Sequence, residues 1–219
     1  MKLYPIKISV LEKVIYAIFI FFSLIYIITL QYRPYPFSYL IKIIPILSLS
    51  LIPLLNISGN KGKLIFSGLL FSAIGDIFLA AEGHKNFIYG LSAFGFAHIM
   101  YITAFIKNPV LKQKRSVLAF FFIIYAAVIE YFLYPVLGNM LISATIYLLL
   151  LMFAGISSAI GKRNNLIIIT GFMLFMVSDS IIAINTFLTS ISHSSFWIML
   201  SYFPAQFLIV YGSTRPEIG

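Results

Sequence analysis

Eight apolar runs, at about 14–30, 37–55, 64–81, 87–106, 117–133, 140–160, 165–187 and 196–212, follow one another with only short polar stretches between them. Each is close to the ~17–25 residues that carry a helix across the hydrocarbon core of a bilayer. Lipid offers no partner to an open backbone N–H or C=O, so continuous apolar runs of this length read as helices. The expected fold is all-α: an integral membrane bundle of eight transmembrane helices, with residues 1–219 forming a single transmembrane domain. Composition agrees, because 61% of the residues are hydrophobic and 10% charged, against roughly 45–50% and 25% in soluble domains. The basic segment ahead of the first run is not followed by a small-x-small cleavage site in "TLQYRPYPF", so that run reads as a retained helix and not a secretory signal.

A net charge of +9 raises the question of nucleic acid, and the placement of the charges answers it. If the helices alternate, one side receives Lys2, Lys7, Lys13, Lys61, Lys63, Lys107, Lys112, Lys114, Arg115, Lys162, Arg163 and Arg215, and the other only Arg33 and Lys85. Twelve against two is a positive-inside distribution that puts both termini in the cytoplasm and leaves no basic surface for a nucleic acid. The short loops lean toward a bacterial inner membrane. With no cysteine there is no disulfide or thiol chemistry, and His84, His98 and His193 lie too far apart for a zinc-binding spacing, so neither metal nor other cofactor is expected.

Inside the apolar runs two residues stand out: Asp76 in "LLFSAIGDIFLA" and Asp179 in "LFMVSDSIIAI", the only aspartates in the chain. A shift of 103 residues lays Gly68 on Gly171, Gly75 on Ser178, Asp76 on Asp179 and Ala80 on Ala183, which matches the third helix to the seventh and is consistent with a four-plus-four parallel repeat. A carboxylate at the bilayer centre costs about 2.5–3.5 kcal/mol, so such residues face a bundle interior or a wet cavity. Gly68, Ser72, Gly75, Asp76, Ala80 and Gly83 share one helical face, as do Gly171, Phe175, Ser178, Asp179 and Ala183. Small faces allow close helix approach, which directs both carboxyl groups to one lumen. The plainer explanation is that each aspartate hydrogen-bonds a neighbouring helix as packing glue.

Other polar residues fall at similar depth. Lys42 is about five residues into the second helix, Glu130 late in the fifth, His98 in mid-membrane with Tyr101 one turn on, and Tyr202 and Gln206 four apart on one face of the eighth. Each has a plainer reading as well: a snorkelling lysine, a hydrogen-bonded core histidine, an interfacial tyrosine, and for Glu130 a solvated carboxylate at the interface.

The segments "YLIKIIP", "SAIGDIFLA", "GLSAFGFAHIMYITAF", "YLLLLM" (147–152), "FMVSDSIIAI" and "YFPAQFLI", running in order through helices two to eight, make the chain resemble the YhhN-like family of multi-pass membrane proteins. Its characterised members are lysoplasmalogenases. The resemblance implies a hydrolase that cleaves the vinyl ether bond of a lysoplasmalogen to a fatty aldehyde and a glycerophospho-base, with membrane lipids around it. Vinyl ether cleavage protonates the carbon beta to oxygen, forms an oxocarbenium ion and lets water capture it. That requires one acid and one anion, which Asp76 and Asp179 supply as a catalytic pair by the logic glycosidases use. Lys42, His98, Tyr101, Tyr202 and Gln206 are the substrate-binding candidates, with Lys42 either on the lipid phosphate or paired with an aspartate. A related ether or epoxide lipid, a transporter and a non-catalytic lipid-binding protein are the alternatives. Against a transporter, Pro45, Pro53 and Pro204 have no counterparts at the 103-residue offset.

Overall fold

The computed structural model describes residues 9–33, 35–81, 83–110, 113–162 and 164–215. Among them are eight helices long and apolar enough to cross a membrane: α1 (Val10–Thr29), α2 (Ser38–Asn56), α3 (Asn60–Ala80), α4 (His84–Phe105), α5 (Gln113–Leu133), α6 (Leu141–Ile160), α7 (Leu166–Ala183) and α8 (Ser194–Ser213). Lys2, Lys7, Lys112 and Arg163, four of the basic residues in the charge distribution, lie outside the described residues.

Helix ends extend past the apolar runs by up to a turn. α3 starts at Asn60 and takes in Lys61 and Lys63, and α5 starts at Gln113 and takes in Lys114 and Arg115. Long basic side chains reach water from the last turn inside the membrane boundary, so the hydropathy edge falls short of the hydrogen-bonded edge. Local chemistry sets several ends. Ser9 and Glu12 form a reciprocal capping box at the start of α1. The Asn165 side chain caps α7 through the Ile168 N–H and also donates to the Gly212 carbonyl at 2.9 Å, which ties the start of α7 to the end of α8. α7 does not stop at Ala183 but passes into a π turn, Ile184–Leu188.

Neighbouring helices pack together except α4 and α5, and in addition α4 lies on α6 and α8 on α2, with lighter α1–α8 and α5–α7 contacts. Shifting every label by four maps the main contacts onto one another, α1–α2 onto α5–α6, α2–α3 onto α6–α7, α3–α4 onto α7–α8, and α4–α6 onto α8–α2, while the lighter α1–α8 and α5–α7 contacts are not matched. The arrangement is the one a duplication of four helices would leave. Glycines make the closest approaches, and a Cβ on Gly68 or Gly75 of α3 would stand 2.5 Å from the rings of Tyr101 or Phe94 of α4. On Gly171 of α7 it would stand 3.0 Å from the backbone of α8. Thus the small faces of the two aspartate helices bring in α4 and α8, as their spacing predicts.

One end of the bundle is sewn together by loop contacts. The Val110 N–H donates to Ile160 and that of Lys162 to Asn108, so the α4–α5 and α6–α7 connections lie side by side. Arg115 reaches three carbonyls, of Ala159, Gly161 and Asn164, at 2.9–3.2 Å. These backbone acceptors at the end of α6 are satisfied by charge-assisted bonds. The opposite end is more open and holds the two cavities described below.

Candidate active site

Asp76 is 1% exposed and is held from two directions. Lys42 Nζ of α2 lies 2.8 Å from its Oδ1, and the Tyr202 hydroxyl of α8 donates to its Oδ2 at 2.7 Å. Behind Tyr202 the chain continues. Gln206 Nε2 donates to the Tyr202 oxygen at 3.3 Å, and the Tyr101 hydroxyl donates to Gln206 Oε1 at 3.0 Å. Five of the residues picked out from sequence therefore form one buried network across α2, α3, α4 and α8. Lys42 neither snorkels nor stands free for a phosphate; it takes the third role open to it, the partner of an aspartate. Two charges removed from water need this geometry, because a buried carboxylate stripped of its cation is left uncompensated.

Asp179 has a different setting. Among the described residues it has no cationic partner, and the Tyr147 hydroxyl of α6 donates to its Oδ2 in a short hydrogen bond. Tyr147 has one proton and gives it to Asp179, so it can only accept from His98, whose Nε2 lies 3.2 Å away. While Tyr147 donates to Asp179, the bond to it comes from His98 Nε2–H, and the buried His98 Nδ1 has no hydrogen-bond partner among the described residues. It is fully buried and rests edge-on against Phe175, ring centres 4.9 Å apart. The two settings correspond under the four-helix shift: Asp76 is held by α2 and α8, and Asp179 by α6 and, through it, α4.

Between the two networks stands an aromatic wall. Phe175 meets Phe94 at 6.1 Å and Tyr202 at 5.6 Å, both edge to face. Both aspartates line a common polar cavity, together with Tyr26, Arg33, Lys42 and Tyr202. A second, apolar cavity lies between α4, α5, α6 and α7 and is walled mostly by Leu, Ile, Phe and Ala. Asp179, Leu79, Phe94 and Ile182 line both, so Asp179 sits at the junction of a polar and an apolar space.

Tyr147 was not among the sequence-derived site residues, although it is the one hydroxyl in the apolar stretch from Ile146 to Gly155. Arg33 reads from sequence as a loop charge and instead lines the polar cavity. Glu130 reads as solvated, but it is half-buried, accepts from the Thr145 hydroxyl at 2.6 Å and lines the apolar cavity. Among the described residues no three of His, Asp or Glu converge as a metal shell.

The model of the YhhN family matches residues 37–213, from the start of α2 to the end of α8. The chain is 33% identical to lysoplasmalogenase TMEM86A of Bos taurus over 186 residues, covering 78% of this chain and 76% of that one. It is 32% identical to lysoplasmalogenase TMEM86A of Homo sapiens over the same shares. A lysoplasmalogenase of Mycobacterium tuberculosis is 28% identical over 160 residues, 70% of this chain and 61% of its own. No solved structure matches. With seven of its eight helices inside the family match, the chain belongs to the YhhN family.

Proposed function

We propose that this membrane protein is a lysoplasmalogenase, hydrolysing the vinyl ether bond of a lysoplasmalogen to a fatty aldehyde and a glycerophospho-base. One observation carries the mechanism: two inward carboxyl groups of opposite character, one tied to a lysine and one not, reach the same cavity. The Lys42 ion pair keeps Asp76 an anion. Asp179, with a tyrosine on Oδ2 and no cation, carries a proton on Oδ1 and is the acid.

In the first step Asp179 delivers that proton to the vinyl carbon beta to the ether oxygen, and the double-bond electrons form the new C–H bond. The positive charge left on the adjacent carbon and oxygen is stabilised by the fixed negative charge of Asp76. Water then adds to that carbon and loses its proton to Asp179, which restores the acid. The hemiacetal collapses, its hydroxyl proton passing to the glycerol oxygen as the C–O bond breaks, and aldehyde and alcohol leave. The apolar cavity suits the hydrocarbon chain and the polar cavity the glycerophosphate, an arrangement in which the vinyl ether lies beside Asp179, which lines both. Tyr101, Gln206 and Tyr202 act through Asp76, and His98 through Tyr147, as positioning residues.

The names of the relatives support the same reaction. The short connections between helices favour a bacterial inner membrane as its location, with the cavity end outward. The test is direct: purified protein in detergent is given lysoplasmalogen and aldehyde release is followed. Release that depends on both aspartates is expected; a properly folded protein that releases none defeats the reading.

A further inference from the structure

The polar cavity is lined by two cations in different states. Lys42 is taken, with its nitrogen on Asp76 at 2.8 Å. Arg33, which follows the last turn after α1, has no carboxylate within ion-pair distance among the described residues. Its Nη1 donates to the Tyr26 hydroxyl at 3.1 Å, and its buried Nε has no hydrogen-bond partner among the described residues. Tyr26 is 1% exposed and its ring centre lies 5.9 Å from the guanidinium carbon, so the fork is held in place by a rigid neighbour. Thr186 and Ser195 bring hydroxyl groups to the same cavity wall. A planar, fixed guanidinium with an unfilled buried donor is a receptor for an oxyanion, which it binds through two parallel bonds.

The surroundings narrow the choice of anion. The cavity shares Asp179, Leu79, Phe87, Phe94 and Ile182 with the adjoining apolar cavity, a setting that suits an anion on a molecule that also carries a hydrocarbon chain. One uncompensated cation balances one negative charge, the charge of a phosphodiester. We infer that Arg33 anchors the phosphodiester of a lysophospholipid whose chain lies in the apolar cavity. Recognition of the phosphate is thereby made by Arg33, outside the residues 37–213 that match the family model. The inference takes its substrate from the hydrolase reading above.

The full chain, Arg33→Gln and Arg33→Lys are each given two vinyl ethers of equal chain length, an ethanolamine lysoplasmalogen and a 1-alkenylglycerol without phosphate. Arg33→Gln is expected to lower the kcat/KM preference for the phospholipid by about tenfold or more, mainly through KM. Arg33→Lys is expected to lower it less, since it keeps the charge and loses the fork. A preference equal to that of the unaltered protein in Arg33→Gln overturns the inference. Binding is measured separately by calorimetry with a non-cleavable 1-alkyl lysophosphatidylethanolamine, a 1-alkylglycerol and inorganic phosphate. If the unaltered chain releases no aldehyde, the hydrolase reading fails, and the binding arm still decides: about tenfold weaker lysophospholipid binding in Arg33→Gln supports the anchor, and equal binding sinks it. Loss of alkylglycerol binding in both variants would make Arg33 a structural residue, and inorganic phosphate binding as tightly as the lysophospholipid would make this a free-phosphate site; either result overturns the assignment.

Discussion

Lys42 and Tyr147 are the residues that make two like carboxyl groups unlike. Each donates to one aspartate, but only Lys42 brings a charge, so Asp76 and Asp179 take complementary parts in one step. Asp76→Asn and Asp179→Asn keep shape and remove the ionisable group. Each alone should lower kcat by roughly 10²–10⁴-fold, and the double variant should be little worse than either single one. Near-normal aldehyde release from either folded single variant would end the paired mechanism. Lys42→Met should lose turnover on phosphate-bearing and neutral vinyl ethers alike, unlike Arg33→Gln. It should also cost about 3–5 kcal/mol of stability, because Asp76 is left buried without its cation. Adding Asp76→Asn to Lys42→Met should recover thermal stability but not activity, a split visible by following unfolding and aldehyde release side by side. Tyr147→Phe removes one hydrogen bond to the acid and the acceptor for His98, and should lower kcat about tenfold while KM changes little. The aspartates were legible because a charge in an apolar run is costly and conspicuous. Tyr147 was not, since a tyrosine in such a run is as often lipid-facing or belt-forming, and nothing in its neighbours marks it as pointing inward. Arg33 was hidden by its address, a polar connection where an arginine looks solvated; only the inward fold of that connection over Tyr26 makes it part of the cavity.

At the level of helices, the spacing of small residues carried most of the information about packing. The Gly68 and Gly75 stripe on α3 predicts a close partner, and the partner is α4, with Tyr101 and Phe94 seated over the two glycines. Which helix fills a small face cannot be read from the face itself; that follows from the pairing of the whole bundle. Gly75 offers a sharp test. A methyl group there would stand 2.5 Å from Phe94 Cδ2, and the Phe94 ring is hemmed by Phe175 and Tyr202 at 6.1 and 5.9 Å. Gly75→Ala should therefore cost about 1–3 kcal/mol and shift Tyr202 against Asp76, lowering both the unfolding temperature and kcat. Gly95→Ala is the control on α4, where the nearest atom to a new Cβ is the flexible Leu150 Cδ1 at 3.4 Å. That change should be neutral or slightly stabilising, since alanine is the better helix former by about 0.8–1.0 kcal/mol. Equal damage from both would mean that contact with the Phe94 ring is not what makes Gly75 irreplaceable, since helix propensity favours alanine at either position. Helix ends were the least legible feature, because lysines and arginines at 61, 63, 114 and 115 lie inside hydrogen-bonded turns that hydropathy assigns to loops.

The molecule as a whole has two unlike ends, and its function depends on which end faces which side. At one end the α4–α5 and α6–α7 connections are bound together by backbone pairing and by Arg115. At the other, Arg33 from the α1–α2 connection and Thr186 and Ser195 from the two sides of the α7–α8 connection line the polar cavity, while Phe87 at the start of α4, Leu137 from the α5–α6 connection and Phe187 from the π turn line the apolar one. Both cavities thus occupy the half of the bundle that the charge distribution assigns to the outer leaflet. On that assignment a single-chain lipid is expected to reach the site from the outer leaflet with its head group at the Arg33 end. The chain has no cysteine, so single substitutions report position without further engineering. Ser192→Cys and Asn139→Cys fall on exposed residues of the α7–α8 and α5–α6 connections, and Ser58→Cys and Lys107→Cys on exposed residues of the α2–α3 and α4–α5 connections. With a membrane-impermeant maleimide on intact cells, the first two should label at once and the last two only after permeabilisation. The reverse pattern would turn the cavities to the cytoplasm and require the substrate to come from the inner leaflet. Mixed labelling within either pair would break the alternation of eight helices on which the positive-inside assignment rests.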